Sequence, residues 1–276
     1  MPKILSQQQI DQFHEQGFIS PVDVMSEDEA LGYRLKLESV ERDYPDEINP
    51  QNRNNAHLSF AFLDKLVHHP VIVDAVEDLI GPNISLWGSV LFIKEPQSAG
   101  YVSWHQDATY VGIKPHTFVT PWLALTSSNR ENGCMSMIPG SHLGHIRYHE
   151  DTFEDNNILT RGQVVSEVDE STALDLILRP GQMSLHHAEV IHGSRPNLGD
   201  DRRIGYAMQA YMPPEARQFI GENYWLDIRG ENPRENSIAL HRPQYDMDPR
   251  GVADRKLANE NWAHILYQGA DKKREY

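Results

Sequence analysis

A mainly β architecture with helices at its N-terminal end, a jelly roll or β-sandwich carrying helices on one face, is the fold class the sequence predicts. Three observations predict it. Residues up to 80 read as short helices with their own start and stop signals; from Ile84 the chain changes to short apolar runs separated by Gly, Pro and Asn turns. The third is length: 276 residues without a linker, repeat or low-complexity tract suit one large domain, because β architectures often pass about 200 residues undivided.

The elements follow in order. Ser6 caps a helix through Gln16, and Gly17 ends it. Ser26-Glu27-Asp28-Glu29 is a capping box with acids where the helix dipole favours them, and it opens a helix reaching Arg42. Two shorter helices occupy 60–69 and 71–80, stopped by Gly81-Pro82. Strand-like runs then stand at 84–94, 118–126, 134–138, 173–178, 182–187 and 203–212. Asn132-Gly133, Pro139-Gly140-Ser141 and Arg179-Pro180-Gly181 separate them as turns. The polar residues 213–276 read as irregular structure plus a final helix from Asp254 to Gln268. The expected organisation is therefore one domain, 1–276, with a helical N-terminal region over 1–82, a β core over 83–212 and an extension over 213–276.

Charge narrows the function classes. Lys and Arg number 25 against 40 Asp and Glu, a formal charge of −15. A field of that sign repels nucleic acid and anionic lipid. No apolar run is long enough to span a bilayer, and the first ten residues lack the basic-then-apolar order of a signal peptide. Cys134 is the sole cysteine, so no internal disulfide forms, and a cytoplasmic location is expected. The sequence leaves the oligomeric state open.

The chemistry lies in Trp104-His105-Gln106-Asp107 and, far downstream, His187–Ser194. A His and an Asp two apart share one face of an extended strand. With a distant histidine they form the two-imidazole, one-carboxylate set of non-haem Fe(II) oxygenases, which leaves three coordination positions open. The tripeptide alone is weak evidence, since His149-Glu150-Asp151 repeats it. That second copy sits in an acidic run, 148–157, and reads as a solvated loop. His105 and Asp107 lie between apolar strands, where ligands are held rigidly.

Trp104–Asp107, Asn132–His142 and His187–Asn197, in this order, resemble the phytanoyl-CoA dioxygenase family over residues 80–212. The resemblance implies a double-stranded β-helix (jelly-roll, cupin-like) core, Fe(II), and 2-oxoglutarate as cosubstrate with O2. Position by position it implies His105, Asp107 and His192 as iron ligands. Ser194 would hydrogen-bond the cosubstrate, and Arg203 would pair with its far carboxylate, a match of fork to carboxylate. Arg202 would point to the opposite, solvated face. Lys94 is a further candidate for cosubstrate or substrate contact, against a solvated strand end. Trp122 is a pocket wall or core, and Trp104 and His187 are expected beside the iron. His142 serves a turn or supports the ligands from behind, and is not itself expected on the metal. Asn55 and His57, with Arg34, Arg53 and Asn54, could reach the pocket from a lid at 49–55, or the segment is a plain solvated loop. Asp107 fills a position that related halogenases leave to a small residue, which implies hydroxylation, demethylation or desaturation. Val111 departs from the pattern, since several family members carry tryptophan there.

The residues say least about the substrate. A small polar metabolite is expected, an aminoalkylphosphonate first, with an amino acid or other zwitterion as the alternative. Two other classes stand beside this: a jelly-roll enzyme without a keto-acid cosubstrate, and a non-catalytic small-molecule-binding jelly roll. The intact ligand set and Arg203 favour neither.

Overall fold

The expected cap at Ser6 and capping box at Ser26 both form, and the Ser6 cap is itself a capping box. Ser6 Oγ accepts from Gln9 N at 3.2 Å while Gln9 Oε1 accepts from Ser6 N at 2.9 Å, opening the helix Gln7–Gln16. Ser26 and Glu29 repeat the exchange ahead of Glu27–Asp43. Gly17 ends the first helix at φ +88°, in the left-handed region that glycine enters without strain. Ala61–Val67 and Pro70–Ile80 follow. This computed structural model describes residues 2–233 and 237–272. Residues 234–236 and 273–276 of the expected extension lie outside the described residues.

Two antiparallel sheets face each other. The larger runs, in spatial order, Phe18–Asp23, Gln182–His187, Val119–Ala124, Arg203–Met212, Ile84–Lys94, Tyr224–Arg229 and Ile238–Ala239, the last pair being parallel. The smaller runs Val102–His105, His192–Ser194, Met135–Met137 and Leu174–Asp175. Helices cover one face of the large sheet. Leu37, Val40, Phe60, Leu63, Leu66, Ile72 and Val76 pack there against Ile204, Tyr206 and Met208. The alternate residues of that strand, Arg203, Ala207 and Gln209, face the opposite way and line a cavity between the sheets. One strand thus carries core on one face and site on the other.

Three expectations need correction here. Residues 213–276 are more ordered than their polarity suggests: Tyr224–Arg229 joins the large sheet, and the final helix starts earlier, at Pro249, capped by Asp248, and runs to Leu266. The 148–157 run is not a solvated loop throughout. His149–Asp151 pairs with Gln163–Val165, and His149 is buried, its Nε2 accepting from Gln106 N at 3.0 Å. Arg202 does take the face opposite Arg203 but is not solvated. Its guanidinium bonds Glu41 at 2.8 and 2.9 Å and Glu95 at 2.9 and 3.0 Å, tying the Glu27–Asp43 helix to the sheet. Among the described residues no helix is long and apolar enough to cross a membrane.

Candidate metal centre and its cavity

His192 and His105 are cross-strand partners in the small sheet, which sets their rings side by side with centroids 4.1 Å apart. The strand ends at His105. Asp107 is not on it, contrary to the one-face reading of His-x-Asp. Asp107 has helical dihedrals (φ −55°, ψ −39°) and precedes the single turn Ala108–Val111, so the chain bends to swing its carboxylate toward the imidazoles. Asp107 Oδ1 stands 3.5 Å from His105 Nε2 and 3.7 Å from His192 Nε2. All three residues are buried, and among the described residues theirs is the one such group whose ligand atoms lie within 4.8 Å of one another.

The donor chemistry fits a divalent metal. His105 Nδ1 lies 2.9 Å from Ser103 O, and His192 Nδ1 3.1 Å from Val190 O. A carbonyl only accepts, so each Nδ1 carries the proton and each Nε2 presents its lone pair. Burial holds His192 well below the usual imidazole range, keeping it neutral. Asp107 is held well below the usual carboxylate range although burial opposes this, because the hydrogen bond from His186 and the nearby imidazoles favour its anion. Gln106 points away from the centre and ties the chain down through Glu189 O at 2.7 Å and Arg147 N at 2.8 Å.

A second cluster closes the far end of the cavity. Lys94 and Arg203 are cross-strand partners, each 1% exposed, and neither has an acidic partner among the described residues. Lys94 Nζ donates to Ser194 Oγ at 2.7 Å and to Arg195 O. Arg203 donates to Gly133 O at 3.1 Å, lies over the Trp122 ring at 5.1 Å, and leaves its Nε unpartnered. Burial, and then the Arg203 charge, push the Lys94 amine down to about 6; burial lowers Arg203 to about 10. Burying an uncompensated cation costs several kcal/mol, so the Arg203 guanidinium, with the Lys94 amine beside it ready to take a proton, calls for an anion that joins them. A dicarboxylate fits. Lys94 is therefore no solvated strand end, and Trp122 is a wall.

Other expected residues are placed differently. Trp104 points out of the cavity, its indole N–H donating to Glu170 Oε1 at 3.1 Å. His187 packs against Phe13 and His142, away from the metal ligands. The residue beside the ligands is its neighbour His186, whose Nε2 lies 3.2 Å from Asp107 Oδ2. His57 sits behind the sheet, and Asn55 stands at the edge of Ile84–Lys94 with its side-chain oxygen over Gly88. Asn55 accepts from Ser89 N at 3.1 Å and donates to Asn259 at 3.0 Å, while His57, lowered to about 3 by burial, meets Ser89 Oγ at 2.7 Å. Their segment does reach the cavity through Gln51, Arg53 and Asn54. Arg34 instead pairs with Glu38 and Asp201. Sequence reasoning missed His186, Thr120, Tyr110 and Gln209 on the β strands and turn, and Trp262 on the last helix.

The family model for phytanoyl-CoA dioxygenase matches residues 13–205. The chain belongs to the phytanoyl-CoA dioxygenase family. A protein of Stutzerimonas stutzeri named a probable alpha-ketoglutarate-dependent hypophosphite dioxygenase is 36% identical over 169 residues, 58% of this chain and 57% of that one. Peroxisomal phytanoyl-CoA dioxygenase of Bos taurus is 26% identical over 185 residues, 64% of this chain and 52% of that one. This family member thus aligns over only 57% and 52% of the length of those two relatives. The structure resembles apo ThoJ, a non-haem monooxygenase, with TM-score 0.84 and 30% identity over 94% of this chain and 98% of that one. The double-stranded β-helix fold is thereby established.

Proposed function

We propose that this family member works as one Fe(II)- and 2-oxoglutarate-dependent dioxygenase domain that hydroxylates a C–H bond of a small polar metabolite. One observation supports the reading: the imidazole and carboxylate group and the buried Arg203 open into the same cavity, and Lys94, buried beside Arg203 and bonded to the cavity-lining Ser194, has like Arg203 no counter-ion among the described residues. His105, Asp107 and His192 would hold the metal through Nε2, Oδ1 and Nε2. Lys94, Ser194 and Arg203 would take the far carboxylate of the keto acid. With O2, that pair supplies the oxidising power for C–H hydroxylation, with succinate and CO2 as co-products. The chain's own role is geometric. Gly205 leaves room for the Trp122 ring, whose atoms would come within 1.8 Å of a Cβ at that position. Asp107 supplies the carboxylate that favours hydroxylation over halogenation.

The expected aminoalkylphosphonate has the hypophosphite-named relative in its favour. The cavity's charge is against it, since among the described residues Arg53 is the only Lys or Arg lining it besides Arg203. The test is anaerobic titration of the apo-protein with Fe(II) and then 2-oxoglutarate. A weak visible charge-transfer band, followed under O2 by succinate release, is the expected result. Bound iron that gives no band on adding the keto acid would overturn the reading.

A further inference from the structure

The strand Arg203–Met212 measures out the cavity. Arg203 closes one end; Gly205 and Ala207 are small; Gln209 stands at the other end, about 20 Å along at the ordinary rise of a strand. Directly after it the pairing with Val119–Ala124 slips between Ala207 and Tyr211, and Ala210 takes φ +59°. A non-glycine residue in the left-handed region costs about 1 kcal/mol or more and marks a bulge that re-aims its neighbours. The bulge is anchored to the metal centre: Ala210 N donates to Thr120 Oγ1 at 3.5 Å, and Thr120 Oγ1 donates to Asp107 Oδ2 at 3.2 Å.

The Gln209 carboxamide lines the cavity and makes no hydrogen bond to any described residue. Its cross-strand partner is Gly88, where a Cβ would come within 2.1 Å of the Trp262 indole and 2.4 Å of Asn55 Oδ1, so this level of the sheet carries no side chain and admits that ring and the Asn55 carboxamide. Trp262 stacks on Trp87 at 4.0 Å. The Tyr110 hydroxyl, also on the cavity wall, is buried and unpartnered. Among the described residues no acid lines the cavity at this end. Trp262 and Asn259 come from the last helix, and with Gln209 they lie outside residues 13–205 that match the family model.

We propose that Gln209 is the specificity-determining residue of the site, and that it holds an uncharged amide group of a substrate whose apolar body lies on Trp87 and Trp262. This rests on the oxygenase reading above. A carboxamide offers one acceptor and two donors, and an amide returns both in a paired contact. A carboxylate or phosphonate meets the acceptor side unpaired, and an ammonium meets the donor side unpaired. The apolar body is matched by the indoles, and the hydroxyl of Tyr110 is a further donor to the amide oxygen.

The test uses the full chain loaded anaerobically with Fe(II) and 2-oxoglutarate. The probes share one body: 3-phenylpropionamide, 3-phenylpropionate, 3-phenylpropylamine and 3-phenylpropylphosphonate. Binding is read by calorimetry and by perturbation of the visible band. The amide is expected to bind about tenfold or more tighter than the other three. Gln209→Glu, which removes the donors, should reverse the order of amide and amine, and a reversal of selectivity is not produced by misfolding. Preference for any charged probe, binding of none, or an unchanged order in Gln209→Glu overturns the proposal. Absence of the band before any probe is added instead overturns the oxygenase reading.

Discussion

His186 Nε2 lies 3.2 Å from Asp107 Oδ2, the carboxylate oxygen that Thr120 also holds at 3.2 Å. Asp107 Oδ1 is the oxygen turned to His105 and His192. The two oxygens are thereby given different tasks: Oδ2 is saturated by donors from the large sheet, and Oδ1 is left for a metal. The large sheet in this way orients a ligand borne by the chain leaving the small one.

Removing that support should loosen the metal. Partners behind a ligating carboxylate are worth about 10–100-fold in metal affinity. His186→Phe is expected to weaken Fe(II) or Mn(II) binding by that factor, read by anaerobic calorimetry. An unchanged dissociation constant would mean that Thr120 alone positions Asp107.

Binding of 2-oxoglutarate should take up a proton. Lys94 is lowered to about 6, so near pH 7.5 the free site holds mainly the neutral amine. A carboxylate placed beside it favours the ammonium and raises that value. The sign follows: affinity for 2-oxoglutarate rises as pH falls from 8 toward 6, by up to about tenfold per pH unit, and levels off below 6. Calorimetry in buffers of different ionisation enthalpy reads the proton directly. Lys94→Met should abolish the uptake, and uptake persisting in that variant would assign it to another group.

Arg203 carries the complementary expectation. Truncating one side of a buried charge pair costs about 2–5 kcal/mol, so Arg203→Gln should raise the dissociation constant for 2-oxoglutarate by about 30-fold or more. Metal binding measured without the keto acid is the comparison. If both fall together, Arg203 supports the sheet and not the anion.

Much of this was legible in the chain. The cap at Ser6 and the capping box at Ser26 are local, and the apolar runs 84–94 and 203–212 show their periodicity without help. His105, Asp107 and His192 were legible as a set because the resemblance orders them. The parity of faces was not: His186 and His187 differ by one position, and only the pairing of Gln182–His187 with Val119–Ala124 decides which imidazole turns inward. Strand Phe18–Asp23 was hidden by Pro21, which reads as a breaker but is tolerated because that strand is the sheet's edge. Gln209 and Trp262 were invisible for another reason. Their meaning depends on the bare surface at Gly88 and on a helix that docks from more than 150 residues away.

Glycines separate packing from propensity in one pair of variants. Gly205→Ala puts a Cβ within 1.8 Å of the Trp122 ring, which is itself pinned beneath Arg203, so the ring has to move toward the anion end of the cavity. Overpacking of this kind costs about 1–3 kcal/mol, and the displaced ring should also weaken 2-oxoglutarate binding. Gly32 lies within the helix Glu27–Asp43 with nothing inside 4 Å of a built Cβ. Gly32→Ala gains helix propensity there and should stabilise the protein by about 0.5–1 kcal/mol, leaving cosubstrate affinity as it was. Urea midpoints and keto-acid titrations on both variants read the contrast. If Gly205→Ala keeps its stability and its affinity, the Trp122 ring yields freely and the wall it forms is soft.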